Sequence, residues 1–365
     1  MSRLASRLHV LPRALVRGGA RRARPSDPKR ILIAHNLLLG DTLMLTALLA
    51  RLRRLYPRAA VDLAVSPALL PLYAQRPYGI DAVPFDPHHP GLTRGLTRRG
   101  PYDLAFVPGE NRFCLLARAA GARWIIAFAG DTPQWKNRAA DELLAWPASP
   151  THLADMFASL AGSGDEAYAP GAWLAPPCAP FDKPDSPYAV LHVGAGSVLR
   201  HWPAGRWLAL ADSLAAQGLI PVWSAGPKET RLVEGIDPTQ RYPSLAGKLG
   251  LTQLWHLLAG ARLLVVPDTG IAHLAKLTDT PTVCLFGPGS SVLFGASRFW
   301  RAHRFAAAIV EDFPCRDQVT LFKREIDWVK RCQRGLDRCA APACMHALEL
   351  ERVLAACARV LAPRD

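Results

Sequence analysis

Three short stretches of this 365-residue chain bring together residue types that can handle a negatively charged, hydroxyl-rich ligand. In residues 265–290 an apolar run closes at Val266, Asp268-Thr269-Gly270 follow as a polar turn, and Ile271, Leu274, Ala275 and Leu277 then repeat at helical spacing. A second strand pattern, residues 282–286, ends in Gly-Pro-Gly-Ser. A carboxylate, a hydroxyl and a helix amino terminus are thereby expected at the carboxyl edge of a parallel sheet, where open α/β folds hold ligands, and the natural guest is a phosphate-bearing sugar or nucleotide. Asp268 and Thr269 can equally serve as helix caps. The second stretch is Gly194-Ala195-Gly196-Ser197, after a strand pattern over residues 188–193; the third is Leu39-Gly40-Asp41-Thr42, after Ile31-Leu32-Ile33-Ala34. No third glycine completes a dinucleotide fingerprint after Gly196, no Walker loop is present, and no serine sits in a nucleophile elbow. Nucleotide-dependent oxidoreduction and serine hydrolysis are excluded on those grounds.

Basic side chains accompany these stretches. Residues 88–99 are polar and carry Arg94, Arg98 and Arg99, which reads as an exposed, charged loop; Lys136 and Arg138 flank Trp135 in a second small group, and Lys228 ends the turn Ala225-Gly226-Pro227-Lys228. Cys315, Cys332, Cys339 and Cys344 gather in a basic C-terminal segment. Four thiolates can bind zinc or iron, but no short CxxC spacing is present, so no metal is expected and the thiols are read as unlinked or packed.

The elements needed to position these groups recur in a regular order. Short apolar strands at residues 31–34, 61–65, 104–107 and 124–128 alternate with helical or loop segments, including a helix over residues 43–56. Residues 169–187 are proline-rich without helical or strand period and read as an interdomain linker, after which the strand-loop-helix pattern restarts with a helix over residues 203–217. The expected architecture is therefore α/β, with two doubly wound parallel sheets. The chain divides accordingly into a basic leader over residues 1–29, a first domain over 30–168, the linker over 169–187, a second domain over 188–345, and a terminal amphipathic helix over 346–365. That helix, marked by Leu350, Leu354, Cys357 and Leu361, is expected to pack back on the first domain.

A formal net charge of +14 implies an anionic partner: nucleic acid, an acidic membrane surface or a phosphorylated substrate. No apolar run is long enough to span a bilayer, and eight cysteines in a chain of this size point to a reducing compartment. The leader contains Arg3, Arg7, Arg13, Arg17, Arg21, Arg22 and Arg24 but no acid before Asp27, while Leu4, Leu8, Leu11 and Leu15 fall at helical spacing. It reads either as a segment that adsorbs to anionic headgroups or as a leader without fixed structure, with Pro12 expected to break a continuous helix.

Taken together, ILIAHNLLLGDTLMLTALLARLRRLYP, LHVGAGSVLRHWPAGRWLALADSL and VVPDTGIAHLAKLTDTPTVCLFGP resemble the ADP-heptose:lipopolysaccharide heptosyltransferase family of inverting glycosyltransferases, across most of residues 30–290. The resemblance implies a GT-B architecture of two Rossmann-like domains on either side of a cleft, a sugar-nucleotide donor held by the second domain and an acceptor held by the first. It implies action in the cytoplasm, peripherally at the inner membrane of a Gram-negative bacterium, on an anionic lipid-linked saccharide, with ADP-heptose as donor substrate, no required cofactor and no nucleic-acid partner.

Asp41 matches the family's proposed general base, which takes the acceptor hydroxyl's proton as that oxygen attacks the anomeric carbon. Arg200, before His201-Trp202-Pro203, stands where similar members carry a lysine that assists the departing diphosphate. The expected donor contacts are Gly194, Ala195, Gly196, Ser197, Lys228, Leu249, Asp268, Thr269 and Gly270, with His273 either a ligand neighbour or a packed residue. Gly40 and Thr42 beside Asp41, with the basic residues Arg94, Arg98, Arg99, Lys136 and Arg138, are the expected acceptor contacts; a solvated charge run is the alternative for residues 88–99. His35-Asn36 replace an arginine and a small polar residue of many relatives, which bears on the choice of donor sugar and acceptor. The alternatives are a non-catalytic glycan- or nucleic-acid-binding module on a transferase scaffold, or a transferase with another donor sugar or a protein acceptor.

Overall fold

The computed structural model describes residues 3–17 and 23–363, which form two compact units: residues 1–174 with 320–328, and residues 175–319 with 329–365. The boundary falls inside the proline-rich segment expected to link the domains. Arg21 and Arg22 of the leader lie outside the described residues.

In the first unit, strands β1 (Arg30–Ile33), β2 (Ala60–Val65), β3 (Asp81–Pro84), β4 (Tyr102–Val107), β5 (Ala122–Phe128) and β6 (Glu142–Leu144) form one sheet in the order β3-β2-β1-β4-β5-β6. Every pairing in it is parallel. The central strands are buried on both faces, which is why Ile31-Leu32-Ile33 and Leu104 to Val107 are continuously apolar instead of alternating. Helices α1 (Arg3–Val16), α2 (Leu39–Met44), α3 (Thr46–Leu55), α4 (Pro90–Arg99), α5 (Arg112–Ala119) and α6 (Leu153–Ser159) accompany the sheet.

The second unit has strands β7 (Tyr188–His192), β8 (Ile220–Ser224), β9 (Leu263–Pro267), β10 (Thr282–Phe286) and β11 (Phe305–Ile309), parallel throughout, in the order β11-β10-β9-β7-β8. Its helices are α7 (Ala204–Ala216), α8 (Thr230–Ile236), α9 (Leu251–Ala259), α10 (Gly270–Leu277), α11 (Ser291–Phe294), α12 (Ala343–His346) and α13 (Leu350–Leu361). A hairpin, β12 (Thr320–Leu321) with β13 (Arg324–Glu325), lies late in the chain yet belongs to the first unit.

Both strand orders reverse direction at one place, between β1 and β4 in the first unit and between β7 and β9 in the second. Such switch points leave a crevice beyond the strands' carboxyl ends, because consecutive loops there turn to opposite faces of the sheet. Asp41 follows β1; the Gly194 loop follows β7, and Asp268 follows β9.

Several expectations are corrected. Residues 90–99 form α4 and not a loop: Pro90 stands at its first position, the His89 ring accepts a hydrogen bond from the Leu92 amide, and Thr93, Leu96 and Thr97 are buried. The helix expected over 43–56 is two, with a break at Leu45. The leader contains α1, which runs through Pro12; the bond that proline cannot make falls at Leu8, on the exposed side, where water can satisfy the freed carbonyl. The terminal helix α13 packs within the second unit, against β9, β10, β11 and α7, burying Val353, Ala356, Cys357 and Val360.

Candidate active site

In the first unit the chain leaves β1 through Ala34, whose amide still bonds the Phe106 carbonyl at 2.9 Å, and then turns sharply. The turn is held from inside. The Leu37 amide donates to His35 Nδ1 at 3.1 Å, and the Thr42 hydroxyl donates to the Leu37 carbonyl at 3.2 Å. Asp41 then falls in the first turn of α2, half-buried, where the helix dipole favours a carboxylate; the N-cap position is Leu38, which provides no side-chain cap. His35, Asp41, Gly109, Glu110 and Phe113 line a cavity of about 220 Å³, so the loops after β1 and β4 meet at the switch point. His35 is 1% exposed, burial depresses its pKa to about 3, and its Nε2 has no hydrogen-bond partner. The imidazole beside Asp41 is therefore neutral.

This crevice rests on a polar cluster that only Lys136 represented among the residues singled out from sequence. Arg324, on the late hairpin, is 2% exposed and donates to the carbonyls of Gly109, Phe128 and Ala129 and to Asn111 Oδ1, at 2.8–3.1 Å. Asp131 is fully buried; it accepts the Asn111 amide at 2.6 Å and pairs with the Lys136 ammonium at 3.3 Å. Together these bonds tie the carboxyl ends of β4 and β5. Asn111 and Asp131 each stand a few residues past a strand, a signal available in the sequence. Arg324, some 200 residues away, had none.

Of the expected acceptor contacts, Gly40 and Thr42 flank Asp41 on α2, and Lys136 is 7% exposed. Arg138 is exposed on the turn of 3-10 helix Gln134–Ala139. Arg99 is corrected: its guanidinium pairs bidentately with Asp62 at 3.0 Å, and Asp62 also accepts the Tyr102 hydroxyl at 2.6 Å. That pair sits beside the amino end of β4, the opposite edge of the sheet from Asp41. Arg94 and Arg98 are exposed on α4 near His9 of α1, and neither lines the Asp41 cavity.

In the second unit the loops after β7, β8, β9 and β10 converge. Arg200, ending the 3-10 turn Val198–Arg200, donates to the Asp268 carbonyl at 2.7 Å and so fastens the β7 loop to the β9 loop. Ser197 caps that turn by accepting the Leu199 amide. Asp268 is 6% exposed. Burial raises its carboxyl pKa, while Arg200, Arg331 and Lys276 draw it back. Thr269 is the N-cap of α10 by backbone, yet neither it nor Asp268 caps by side chain, and the Thr269 hydroxyl is buried without a hydrogen bond. The capping alternative therefore fails for Thr269, and the α10 amides at Gly270 and beyond stay unclaimed by a side-chain cap. His273, one turn on, is 3% exposed against Phe294, and burial takes its pKa well below the ordinary value.

Glycines set the fit. A Cβ on Gly289 would stand 1.9 Å from Asp268 Oδ2, and one on Gly194 would stand 2.1 Å from Glu229 Oε2. Glu229 accepts the Gly226 amide at 2.9 Å, so this carboxylate, missed in the sequence, couples the glycine loops after β7 and β8. The β10 loop is held by Arg316, which donates to the Gly287, Val310 and Glu311 carbonyls at 2.7–2.9 Å. Gly196 and Lys228 are exposed, Ala195 is buried, and Leu249 is half-buried just before α9. The eight cysteines are free thiols, and among the described residues no three or more His, Cys, Asp or Glu side chains are grouped to hold a metal ion.

The model of glycosyltransferase family 9 (heptosyltransferase) matches residues 102–323, more than half of the chain. The chain belongs to glycosyltransferase family 9. It is 36% identical over 137 residues to lipopolysaccharide heptosyltransferase 1 of Pseudomonas aeruginosa, an alignment covering 36% of each chain. The chain thus spans about a third of the length of that curated relative and others like it. With lipooligosaccharide heptosyltransferase 2 of Haemophilus ducreyi it shares 27% identity over 303 residues, 72% of this chain and 84% of that one. Among solved structures, Escherichia coli ADP-heptose lipopolysaccharide heptosyltransferase II superposes with a TM-score of 0.67 at 19% identity, covering 91% of this chain and 98% of that chain. The two parallel-sheet units of this family 9 chain therefore have the GT-B fold, as the resemblance implied.

Proposed function

We propose that the protein is an inverting glycosyltransferase that moves heptose from ADP-heptose to an anionic lipopolysaccharide core acceptor. The observation that carries this reading is the pair of switch-point crevices: one presents a carboxylate, Asp41, in a small cavity, and the other presents Arg200, unclaimed helix amides and Asp268. An inverting transfer needs both kinds of group. The acceptor oxygen must lose a proton as it attacks the anomeric carbon, and the departing diphosphate must have its developing charge met.

In this mechanism the first unit binds the acceptor and the second binds the donor. Asp41 takes the hydroxyl proton while the new C–O bond forms and the bond from the anomeric carbon to the diphosphate oxygen breaks, with the electron pair leaving on ADP. Arg200 and the amides around Ala195, Gly196, Ser197, Thr269 and Gly270 hold the diphosphate, and Asp268 accepts hydrogen bonds from donor hydroxyls. A guanidinium can grip phosphate oxygens through two parallel hydrogen bonds where an ammonium acts as a point charge.

No helix among the described residues is long and apolar enough to cross a membrane. The reading places the enzyme peripherally at the cytoplasmic face of the inner membrane, supported by the +14 charge and by α1, whose Leu4, Leu8 and Leu15 are 61%, 66% and 77% exposed beside arginines.

The test is release of nucleotide diphosphate from ADP-, UDP- and GDP-sugars in the presence of a cell-envelope lipid extract. Acceptor-dependent release from ADP-heptose is expected, with kcat falling about 10²–10⁴-fold in Asp41→Asn. Release from a different sugar nucleotide would change the donor assignment, and undiminished turnover in Asp41→Asn would end the assignment of the base.

A further inference from the structure

Helix α1 roofs a second cavity of the first unit, about 360 Å³ in volume, that no residue of the mechanism above explains. The helix is seated by Thr93 donating to the Ser6 hydroxyl at 3.3 Å, by His9 with Thr97 at 2.8 Å, and by Arg17 donating to the Ala119 carbonyl at 2.9 Å. Its inward residues are small or short, Ser6, Val10 and Ala14, so a space remains between it and α5. Val10, Leu11, Phe85, Leu115 and Leu116 make that space apolar.

Its charged lining is all of one sign. Arg3, Arg7, Arg112, Lys136 and Lys323 line the cavity, and no acid does. Arg112 and Lys323 share Glu110 at 3.3 Å, and Lys136 pairs with Asp131, which leaves Arg3 and Arg7 without a carboxylate partner among the described residues. An apolar chamber with excess positive charge is complementary to a molecule with a hydrocarbon part and an anionic part, and to neither alone: a simple anion gains nothing from the apolar wall, and a neutral lipid leaves the cations unmatched.

We infer that this cavity binds a single anionic amphiphile, an alkyl or acyl chain carrying a phosphate or carboxylate, and serves as the lipid-side subsite for the acceptor. Its assignment to the acceptor rests on the transferase reading above. Phe113 lines this cavity and also the one containing Asp41, so the two adjoin at that ring. A lipid-linked saccharide anchored beneath α1 therefore extends its sugar toward Asp41 past Phe113. Phosphate and carboxylate share the chemistry that the arginines recognise.

The full chain is titrated calorimetrically with dodecyl phosphate below its micellar concentration, with inorganic phosphate and dodecyl maltoside in parallel. Saturable binding of one dodecyl phosphate is expected, with neither comparison compound binding at the same concentrations. Arg3→Glu/Arg7→Glu reverses the two charges that have no carboxylate partner, at exposed positions where, among the described residues, Arg3 is held only by the His88 ring at 2.8 Å, and Val10→Trp fills the chamber; each is expected to weaken binding at least ten-fold. Leu8→Ser/Leu15→Ser, on the outward face, leaves it unchanged. Equal binding by both cavity variants, loss confined to the outward-face variant, or equally tight inorganic phosphate would each overturn the proposal. Should Val10→Trp fail to fold, the arginine pair carries the test alone. In transfer assays the cavity variants raise KM for the lipid-linked acceptor about ten-fold and leave KM for the sugar nucleotide as it was. Binding of dodecyl phosphate by a chain that transfers no sugar would keep the subsite and remove the transferase reading.

Discussion

Asp268 and Gly289 show how tightly single residues define the second-unit crevice, the proposed donor half of the site. The carboxylate lies against a backbone with no room for a methyl group, so Gly289→Ala must move either Asp268 or the β10 loop that Arg316 holds. Weaker binding of ADP-heptose is expected in Gly289→Ala, by about ten-fold or more, in a protein that still melts cooperatively; calorimetric titration with ADP-heptose in the absence of acceptor reads it. Arg200 belongs to the same scale. Arg200→Ala removes both the clasp on the Asp268 carbonyl and the charge proposed to meet the leaving group, and kcat/KM for the donor is expected to fall by roughly 10²–10³. Arg200→Lys should recover part of that loss, since charge returns without the two-pronged geometry; steady-state kinetics with all three proteins checks the order.

At the scale of elements, ion pairs do two different jobs that their residue types do not distinguish. Arg99 closes α4 onto β2 through Asp62, whose side chain is 5% exposed and also receives the Tyr102 hydroxyl. Asp62→Asn leaves those donors with a weaker acceptor, and a loss of about 1–3 kcal/mol is expected, with the guanidinium's partial exposure keeping it toward the lower end. Chemical denaturation at pH 7 measures it, and donor KM should not move, because the pair lies at the sheet edge away from Asp41. Arg324 works at the other edge, binding the ends of β4 and β5 from a hairpin that arrives late in the chain. Nothing in the local sequence separates Arg99 from Arg94 or Arg98. The separation comes from Asp62, 37 residues upstream, which the parallel register sets within reach.

The whole molecule responds to pH through buried histidines. Burial holds His35 near a pKa of about 3 and His192 near about 4, and takes His273 well below 6.5. In the unfolded chain all three would take up protons as pH drops below about 6.5, while the folded chain leaves them neutral. The unfolded state then binds more protons, so stability present above pH 6.5 is lost as pH falls from there toward the folded-state values, by on the order of 1 kcal/mol per pH unit for each histidine. Unfolding midpoints measured between pH 7.5 and 5 should decline steadily. His192→Gln, whose partner Ser224 lies 3.0 Å away, should flatten the decline.

Much was settled by local sequence. Continuous apolar strands separated by helix patterns require parallel sheets buried on both faces, and glycine-rich or polar turns after β1, β7 and β9 can only fall at the strands' carboxyl ends; those facts put the loops carrying Asp41, Gly194 and Asp268 at that edge, while Arg200 was singled out by the family resemblance. Tertiary structure decided what depends on distant partners: that Arg99 serves Asp62, that Arg324 and Glu229 brace the two crevices, and that residues 320–328 return to the first unit. It also turned Leu4, Leu8 and Leu15 outward while placing α1 over a charged, apolar chamber. Helical spacing states which residues share a face, but which face is covered depends on the surface the rest of the chain presents to it.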